Sequence, residues 1–299
     1  MHVRNEQWIL ECALPAALRF VDEIVVLDHE STDRTPRIID RVDRDHPGRV
    51  HRAEWTGRHY NEMGIRQRSL EAGREAGGTH FFWIDADEIV TANLIEPIRT
   101  WIADLAPGER LELPWLAMWA SLDRFRDDDS VWTNNFKAFA FADHPDLCYR
   151  SQRDGYDMHQ QTPNGVRSRP IRRPLADQSR GGVMHLQFAN RRRLIAKHAW
   201  YKMSETVRFP GRKPAAQIDA TYNQALDETG LRLADTPPEW WGAYDDLRGL
   251  ISMDDQPWHE LEVLRFWQEQ GHEAFAGLNL WGLPQRLASE SNGGEEAAA

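Results

Sequence analysis

Cysteine is scarce in this chain: Cys12 and Cys148 are the two among 299 residues. Two cysteines cannot build a disulfide framework, and they fit a reducing compartment. His144 and Cys148 have a zinc-like spacing, but no second pair follows, so zinc is not expected. Long apolar runs are also missing. The longest are of strand length, which excludes a transmembrane helix. Arg4 and Glu6 stand where a signal peptide would need an apolar stretch, so a cytoplasmic protein is the expectation. Positive charge is in short supply. Lys and Arg number 36 against 47 Asp and Glu, a net charge of −11. That is the wrong sign for a general nucleic-acid or anionic-membrane binder. Internal repeats are lacking as well. Tryptophan is the exception, at 13 residues. Packing explains most tryptophans, and stacking platforms for sugar rings are the sharper alternative. The length allows a full core, as one large domain or a domain with an appendage.

Two acidic clusters follow two short apolar runs. Ile24-Val25-Val26-Leu27 ends in Asp28, followed by Ser31, Asp33 and Thr35. Phe81-Phe82-Trp83-Ile84 ends in Asp85, then Ala86, Asp87 and Glu88. An apolar run ending in a carboxylate is the pattern of a parallel strand leaving its sheet. Open α/β sheets bind ligands beyond those strand ends. Asp28, Asp85 and Asp87 are therefore expected on one rim of one sheet. Crowded carboxylates repel unless a cation or a donor-rich ligand separates them. An Asp-x-Asp pair suits a divalent ion, Mn²⁺ or Mg²⁺, that also holds a diphosphate. No lysine is near this pair in sequence. Glu88 is as well explained by a structural salt bridge.

The surrounding pattern is α/β. A helix is expected from Glu6 to Phe20. Thr35-Pro36 opens a second that runs to Asp45. A short strand over Arg49–Ala53 follows, then a helix capped by Asn61 and stopped by Gly77-Gly78. The 81–84 strand and a helix over Ala92–Ala103 continue the alternation, which implies a parallel sheet. From Leu111 to His185 the alternation is lost, with short strands at Val131–Trp132 and Phe136–Phe141. The last third reads as helices over Arg191–Thr206, Ala215–Glu228 and Trp258–Gln270. The tail from Ser289 is polar and acidic, the composition of disorder.

Val3-Arg4-Asn5-Glu6, then Asp28-His29-Glu30-Ser31-Thr32-Asp33-Arg34-Thr35, then Asp85-Ala86-Asp87-Glu88 resemble the ordered motifs of family 2 glycosyltransferases of the GT-A fold. The resemblance is specific over the first third of the chain and looser to about residue 210. It implies a mostly parallel nucleotide-binding sheet with helices on both faces, a mixed acceptor region and a helical C-terminal part. The corresponding segments are 1–110, 111–210 and 211–288, with a disordered tail over 289–299. It also implies a nucleotide-sugar donor of UDP or GDP type, a divalent metal and inversion at the anomeric carbon. Val3, Arg4, Asn5, Glu6 and Asp28 would hold the nucleoside, with Ser31 and Asp33 in the same motif. Asp85 would contact the ribose or sugar, and Asp87 the metal. Family members usually have a strand leading into the Val-Arg-Asn-Glu segment. Only Met1 and His2 precede it here, so either the true start lies upstream or one central strand is shortened.

Further residues complete the expected site. The resemblance implies a late histidine in the metal sphere. His185, in Gly181-Gly182-Val183-Met184-His185, fits that role, and His159 competes for it. On a strand Asp157 and His159 share a face. Inverting transfer needs a base for the acceptor hydroxyl. Asp157 is the first choice, and the Asp127-Asp128-Asp129 run, with Asp128 at its centre, the alternative. Arg66, Arg68, Arg191-Arg192-Arg193 and Lys197 are candidates for the diphosphate, with Arg66 and Arg192 the leading ones. The Arg167–Arg173 cluster has no assigned role. The acceptor is a glycan, a lipid-linked glycan, a protein or a modified base. Two other classes compete. In a haloacid-dehalogenase-type phosphatase, Asp85-Ala86-Asp87-Glu88-Ile89 would be the nucleophile motif, but that family places it on the first strand. A non-catalytic carbohydrate-binding protein would leave the acidic clusters unexplained.

Overall fold

The structure is a computed structural model that describes residues 1–57, 60–133, 135–151, 162–166 and 178–296, with backbone alone for 178 and 291–296. The chain opens as β1 (His2–Val3), α1 (Gln7–Ala17), β2 (Ile24–Asp28), α2 (Thr35–Asp45), β3 (Val50–Glu54), α3 (Glu62–Glu75), β4 (His80–Phe82), β5 (Glu88–Val90) and α4 (Ile95–Ala103). Two helix starts have a clear local cause. Pro36 begins α2 where its missing N–H costs nothing, and Ile38, Ile39 and Val42 form that helix's buried face. The Asn61 side chain caps α3 by accepting from Gly64 N at 3.1 Å.

β1, β2 and β3 form a parallel sheet, with Val3 opposite Asp28 and Asp28 opposite Glu54. The second acidic strand is not part of it. β4 pairs antiparallel with β8 (Phe136–Ala142), which pairs with β6 (Arg110–Ala117). β6 lies parallel to β9 (Val183–His185), and β9 pairs antiparallel with β5. The expected single rim is thus built from two sheets. Phe139 and Phe141 of β8 hold β4 in place, their rings 5.7 Å from Phe82 and 5.6 Å from Phe81. Val131–Trp132, expected as a strand, is a turn: Thr133 N donates to Ser130 O at 3.2 Å.

β9 is set close against β6. A Cβ at Gly182 would lie 2.2 Å from the Pro114 carbonyl oxygen, so only glycine lets β9 begin there. That fixes where His185 emerges.

The chain forms two compact units, Met1–Leu186 with Arg232–Met253, and Gln187–Leu231 with Asp254–Ala299. Arg232–Met253 returns to the first unit because β10 (Leu233–Asp235) pairs with β7 (Arg124–Arg126); α7 (Asp245–Arg248) follows it. The second unit holds α5 (Arg191–Arg208), α6 (Ala215–Tyr222), α8 (Trp258–Gln270) and α9 (Leu283–Glu296). Lys202 is buried there, paired with Asp219 at 2.7 Å and Asn223 at 2.6 Å. Helical backbone in α9 continues past Ser289 to Glu296, where composition alone indicates disorder.

Candidate active site

The first strand end is closed by its own motif. Asp28 Oδ1 accepts from Ser31 Oγ at 2.5 Å and Ser31 N at 3.2 Å. Ser31 Oγ accepts from Asn5 N at 2.9 Å. Asn5 has a left-handed backbone, φ 53°, and its Oδ1 accepts from Thr32 N at 2.7 Å and Asp33 N at 3.3 Å. Asp33 binds Gln7 N at 3.1 Å and Thr35 N at 2.8 Å, one with each carboxylate oxygen. Glu6 N donates to the buried Thr35 Oγ1 at 2.8 Å, and Glu6 Oε2 accepts from Trp8 Nε1 at 2.7 Å. The Val3–Glu6 and 28–35 segments are thereby stitched into one loop pair. Asp33 and Asn5 act as its fasteners. Asp28 keeps Oδ2 without a hydrogen bond among the described residues, so it can still accept from a ligand. Arg4 Nη1 approaches the buried His29 Nε2 at 3.5 Å, and His29 Nε2 donates to Gly57 O at 2.8 Å. Burial holds the His29 ring below its usual pKa, and so neutral.

The second strand end is a buried charge cluster. Asp85 N donates to Glu88 Oε2 at 2.9 Å, closing a tight turn, and Asp85 Oδ1 accepts from Trp83 Nε1 at 3.3 Å. The β5–β9 register sets Glu88 opposite His185. That brings His185 Nε2 to 3.5 Å from Asp87 Oδ2, both side chains nearly buried. The His185 ring stacks on Trp115, centroids 4.2 Å apart. Trp115 Nε1 donates to Glu88 Oε1 at 2.8 Å, and the Lys137 ammonium sits 3.1 Å from the centre of the Trp115 ring. Burial, reinforced by Asp85, pushes the Glu88 carboxyl up. Burial also pulls Lys137 down, with Glu88, Asp85 and Asp87 opposing it.

Lys137 corrects one expectation: the acidic pair does have a lysine beside it, brought in by β8 from far along the chain. It is the principal residue that sequence reading missed. A signal existed. In Phe136-Lys137-Ala138-Phe139-Ala140-Phe141 the lysine is the one charge in an otherwise apolar strand, where a charge is out of place.

The Asp87–His185 pair fits a divalent ion. An oxygen and a neutral imidazole nitrogen suit Mn²⁺ or Mg²⁺. Their separation is near the roughly 3 Å edge between adjacent ligands of an octahedral ion with ~2.1 Å bonds. Among the described residues no third His, Cys, Asp or Glu completes a cage. Such a two-ligand site leaves coordination positions for phosphate oxygens.

Other expected residues are committed elsewhere. Arg66 is buried, bonds Glu62 Oε1 at 2.9 Å and lies 4.3 Å over the Trp83 ring, so it backs the Asp85 turn. Asp128 is buried in a turn, binding Arg126 Nε at 2.8 Å and Ser130 N at 2.9 Å. Although burial opposes its charge, Ser130 and Arg126 hold its carboxyl below the usual range, which weakens it as a base. Arg192 belongs to the second unit, where Glu260 takes it bidentately at 2.8 and 2.7 Å. Its neighbours are likewise engaged: Arg191 with Glu228 at 2.7 Å and Arg193 with Asp255 O at 2.6 Å. Asp157, His159 and the Arg167–Arg173 cluster lie outside the described residues. Trp8, Trp83, Trp115, Trp119, Trp240 and Trp241 are buried, which makes packing their role.

Carboxylates at two strand ends of an α/β chain, with a histidine beside one of them, stand where α/β folds bind their ligands. Residues 1–107 match the family model for glycosyl transferase family 2. The family resemblance carried by the motifs therefore holds over that segment, and the fold is α/β of the GT-A kind. Among solved structures, the chain is similar to the crystal structure of S. aureus TarS 1-349, with 12% identity and a TM-score of 0.38 over 98% of this chain and 90% of that one. The crystal structure of S. aureus TarS 1-349 in complex with UDP matches at 11% identity and a TM-score of 0.38, over 98% of this chain and 90% of that one. These likenesses are too loose to carry a substrate across. No curated protein matches the chain. Among the described residues, no helix is long and apolar enough to cross a membrane.

Proposed function

We propose that this chain is a metal-dependent, inverting glycosyltransferase that moves a sugar from a UDP- or GDP-type donor to a hydroxyl acceptor, working in the cytoplasm. The observation that carries the reading is the Asp87–His185 pair at 3.5 Å, beside Asp85, within a chain whose first 107 residues match family 2. Asp28, fixed by Ser31, offers its second oxygen to the nucleoside. Asp85, backed by Arg66 and Trp83, faces ribose or sugar. Asp87 and His185 would hold the ion, which when bound offsets the charge of a leaving diphosphate. Trp115 keeps the His185 ring in place by stacking, while Glu88 holds the indole N–H. The acceptor proton needs a base, and Asp157 is assigned that role. Asp128 is ranked second, a choice supported by the hydrogen bonds that Arg126 and Ser130 make to its carboxylate.

Nucleotide release from a panel of sugar nucleotides, with and without Mn²⁺, tests this reading. Release that depends on metal and rises with acceptor supports it. Free phosphate from simple phosphate esters points to the phosphatase. Sugar binding with no turnover points to a carbohydrate-binding protein.

A further inference from the structure

Lys137 is half-buried and lacks the partners a lysine in that setting usually has. Its ammonium rests on the Trp115 ring. Among the described residues no carboxylate pairs with it and no oxygen accepts from it. Lys202 shows the ordinary arrangement. Its ammonium meets Asp219 at 2.7 Å, Asn223 at 2.6 Å and Asn279 O at 2.7 Å. An ammonium packed on a ring gives up water on that side, and three donors without acceptors are a poor return. Glu88 is not its counter-ion. Both Glu88 oxygens are committed, one to Trp115 Nε1 at 2.8 Å and one to Asp85 N at 2.9 Å. Glu88, Asp85 and Asp87 favour the charged form of Lys137 through space, without pairing with it.

The sheet register says where that ammonium stands. Glu88 of β5 lies opposite His185, Ala117 of β6 also lies opposite His185, and Leu113 of β6 lies opposite Lys137. Side chains alternate along a strand, so Leu113, Trp115 and Ala117 share one face of β6. Glu88, His185, Trp115 and Lys137 therefore occupy one face across four neighbouring strands. The irregularity in the β6–β8 pairing falls outside this stretch, between Leu111 and Glu112. Trp115 links the row, with His185 stacked on it at 4.2 Å and the Lys137 ammonium at 3.1 Å. The unpartnered cation is thus one indole ring away from the Asp87–His185 pair.

We propose that Lys137 binds the diphosphate of the donor directly, as a fixed cation beside the pair that would hold the ion. The inference rests on the glycosyltransferase reading above. Lysine serves phosphate as a point charge with three rotatable donors. Phosphate oxygens supply the acceptors that the fold withholds from this side chain. A neutral acceptor hydroxyl would give an ammonium no such return. The charge on a leaving diphosphate also grows as the sugar departs, which a fixed cation offsets. Because Lys137 belongs to the chain, part of the affinity for diphosphate survives removal of metal.

The test is calorimetry of the full chain with UDP against uridine and GDP against guanosine, in excess chelator and in Mn²⁺. For the nucleotide that binds, the ratio of diphosphate to nucleoside affinity measures what the diphosphate adds. In wild type that ratio should exceed about ten even in chelator. Lys137→Met should lower it by about tenfold or more in both conditions and leave nucleoside affinity unchanged. Lys137→Arg, which keeps the charge, should retain most of it. Lys137→Met combined with Glu88→Gln removes a neighbouring carboxyl with the ammonium, and it carries the same expectation if the single variant fails to fold. An unchanged ratio overturns the proposal. Equal losses for nucleoside and diphosphate overturn it too, since the lysine would then only support the pocket. A ratio that falls in Mn²⁺ alone does the same, because the effect would pass through the ion. A wild-type chain that binds none of the four compounds in either condition sinks the glycosyltransferase reading itself, and the proposal with it.

Discussion

The two acidic strand ends do similar work by opposite means. At the first, carboxylates are spent on the backbone: Asp33 uses both oxygens on Gln7 N and Thr35 N, and Asp28 uses one on Ser31. The loop is rigid before any ligand arrives. At the second, ionisable side chains are packed together: Asp85, Asp87 and Glu88 lie around Lys137, Trp115 and His185, and burial pushes the Glu88 carboxyl up. Repulsion there is eased by Lys137 and by the upward push on Glu88, which favours its neutral form, and a bound cation would ease it further. The contrast separates residues that shape a site from residues that wait for a ligand.

Breaking the second end should have the largest effect on chemistry. Asp87→Ala should lower metal-dependent transfer by on the order of 10²–10³ while Tm barely moves. A matching loss in folding stability would mean that Asp87 is structural. Breaking the first end should do the reverse. Asp33→Ala strands two backbone N–H groups and should cost about 1–3 kcal/mol in urea unfolding. Trp115→Phe keeps a ring against His185 but drops the indole N–H to Glu88, for about 1 kcal/mol of stability. Arg192→Ala should cost less than about 1 kcal/mol and leave turnover unchanged, because its partner is Glu260, which Arg286 also holds at 3.2 Å.

The smallest effect is one of pH. The Met1 amine falls to about 5 in the fold from an ordinary 8.0. Between those values the unfolded chain binds a proton that the folded chain does not, so this group's contribution to stability rises with pH from 5 to 8. The difference in unfolding free energy between the free and the N-acetylated chain should show that slope. A flat difference would place the amine in solvent.

Much of this was legible in the sequence, and the reasons are local. Asp28, Asp85 and Asp87 were visible because an apolar run ending in a carboxylate is a short-range pattern. Asn61 and Pro36 mark helix starts by chemistry within one turn. What escaped was long-range. No local rule says that β4 pairs with β8 rather than with the first sheet, or that Lys137 reaches the ring of Trp115. Asp128 shows the same limit. In sequence it is the middle of an acidic triplet, whereas in the fold Arg126 and Ser130 meet it in a buried turn.

Calorimetry of UDP and of GDP, with and without Mn²⁺, tests the central claim most directly. For the preferred nucleotide, wild-type affinity should rise with Mn²⁺, Asp87→Ala should lose that rise, and Asp28→Ala should weaken binding by about 1–3 kcal/mol under both conditions. Nucleotide affinity that both substitutions leave unchanged, with or without Mn²⁺, would contradict the account.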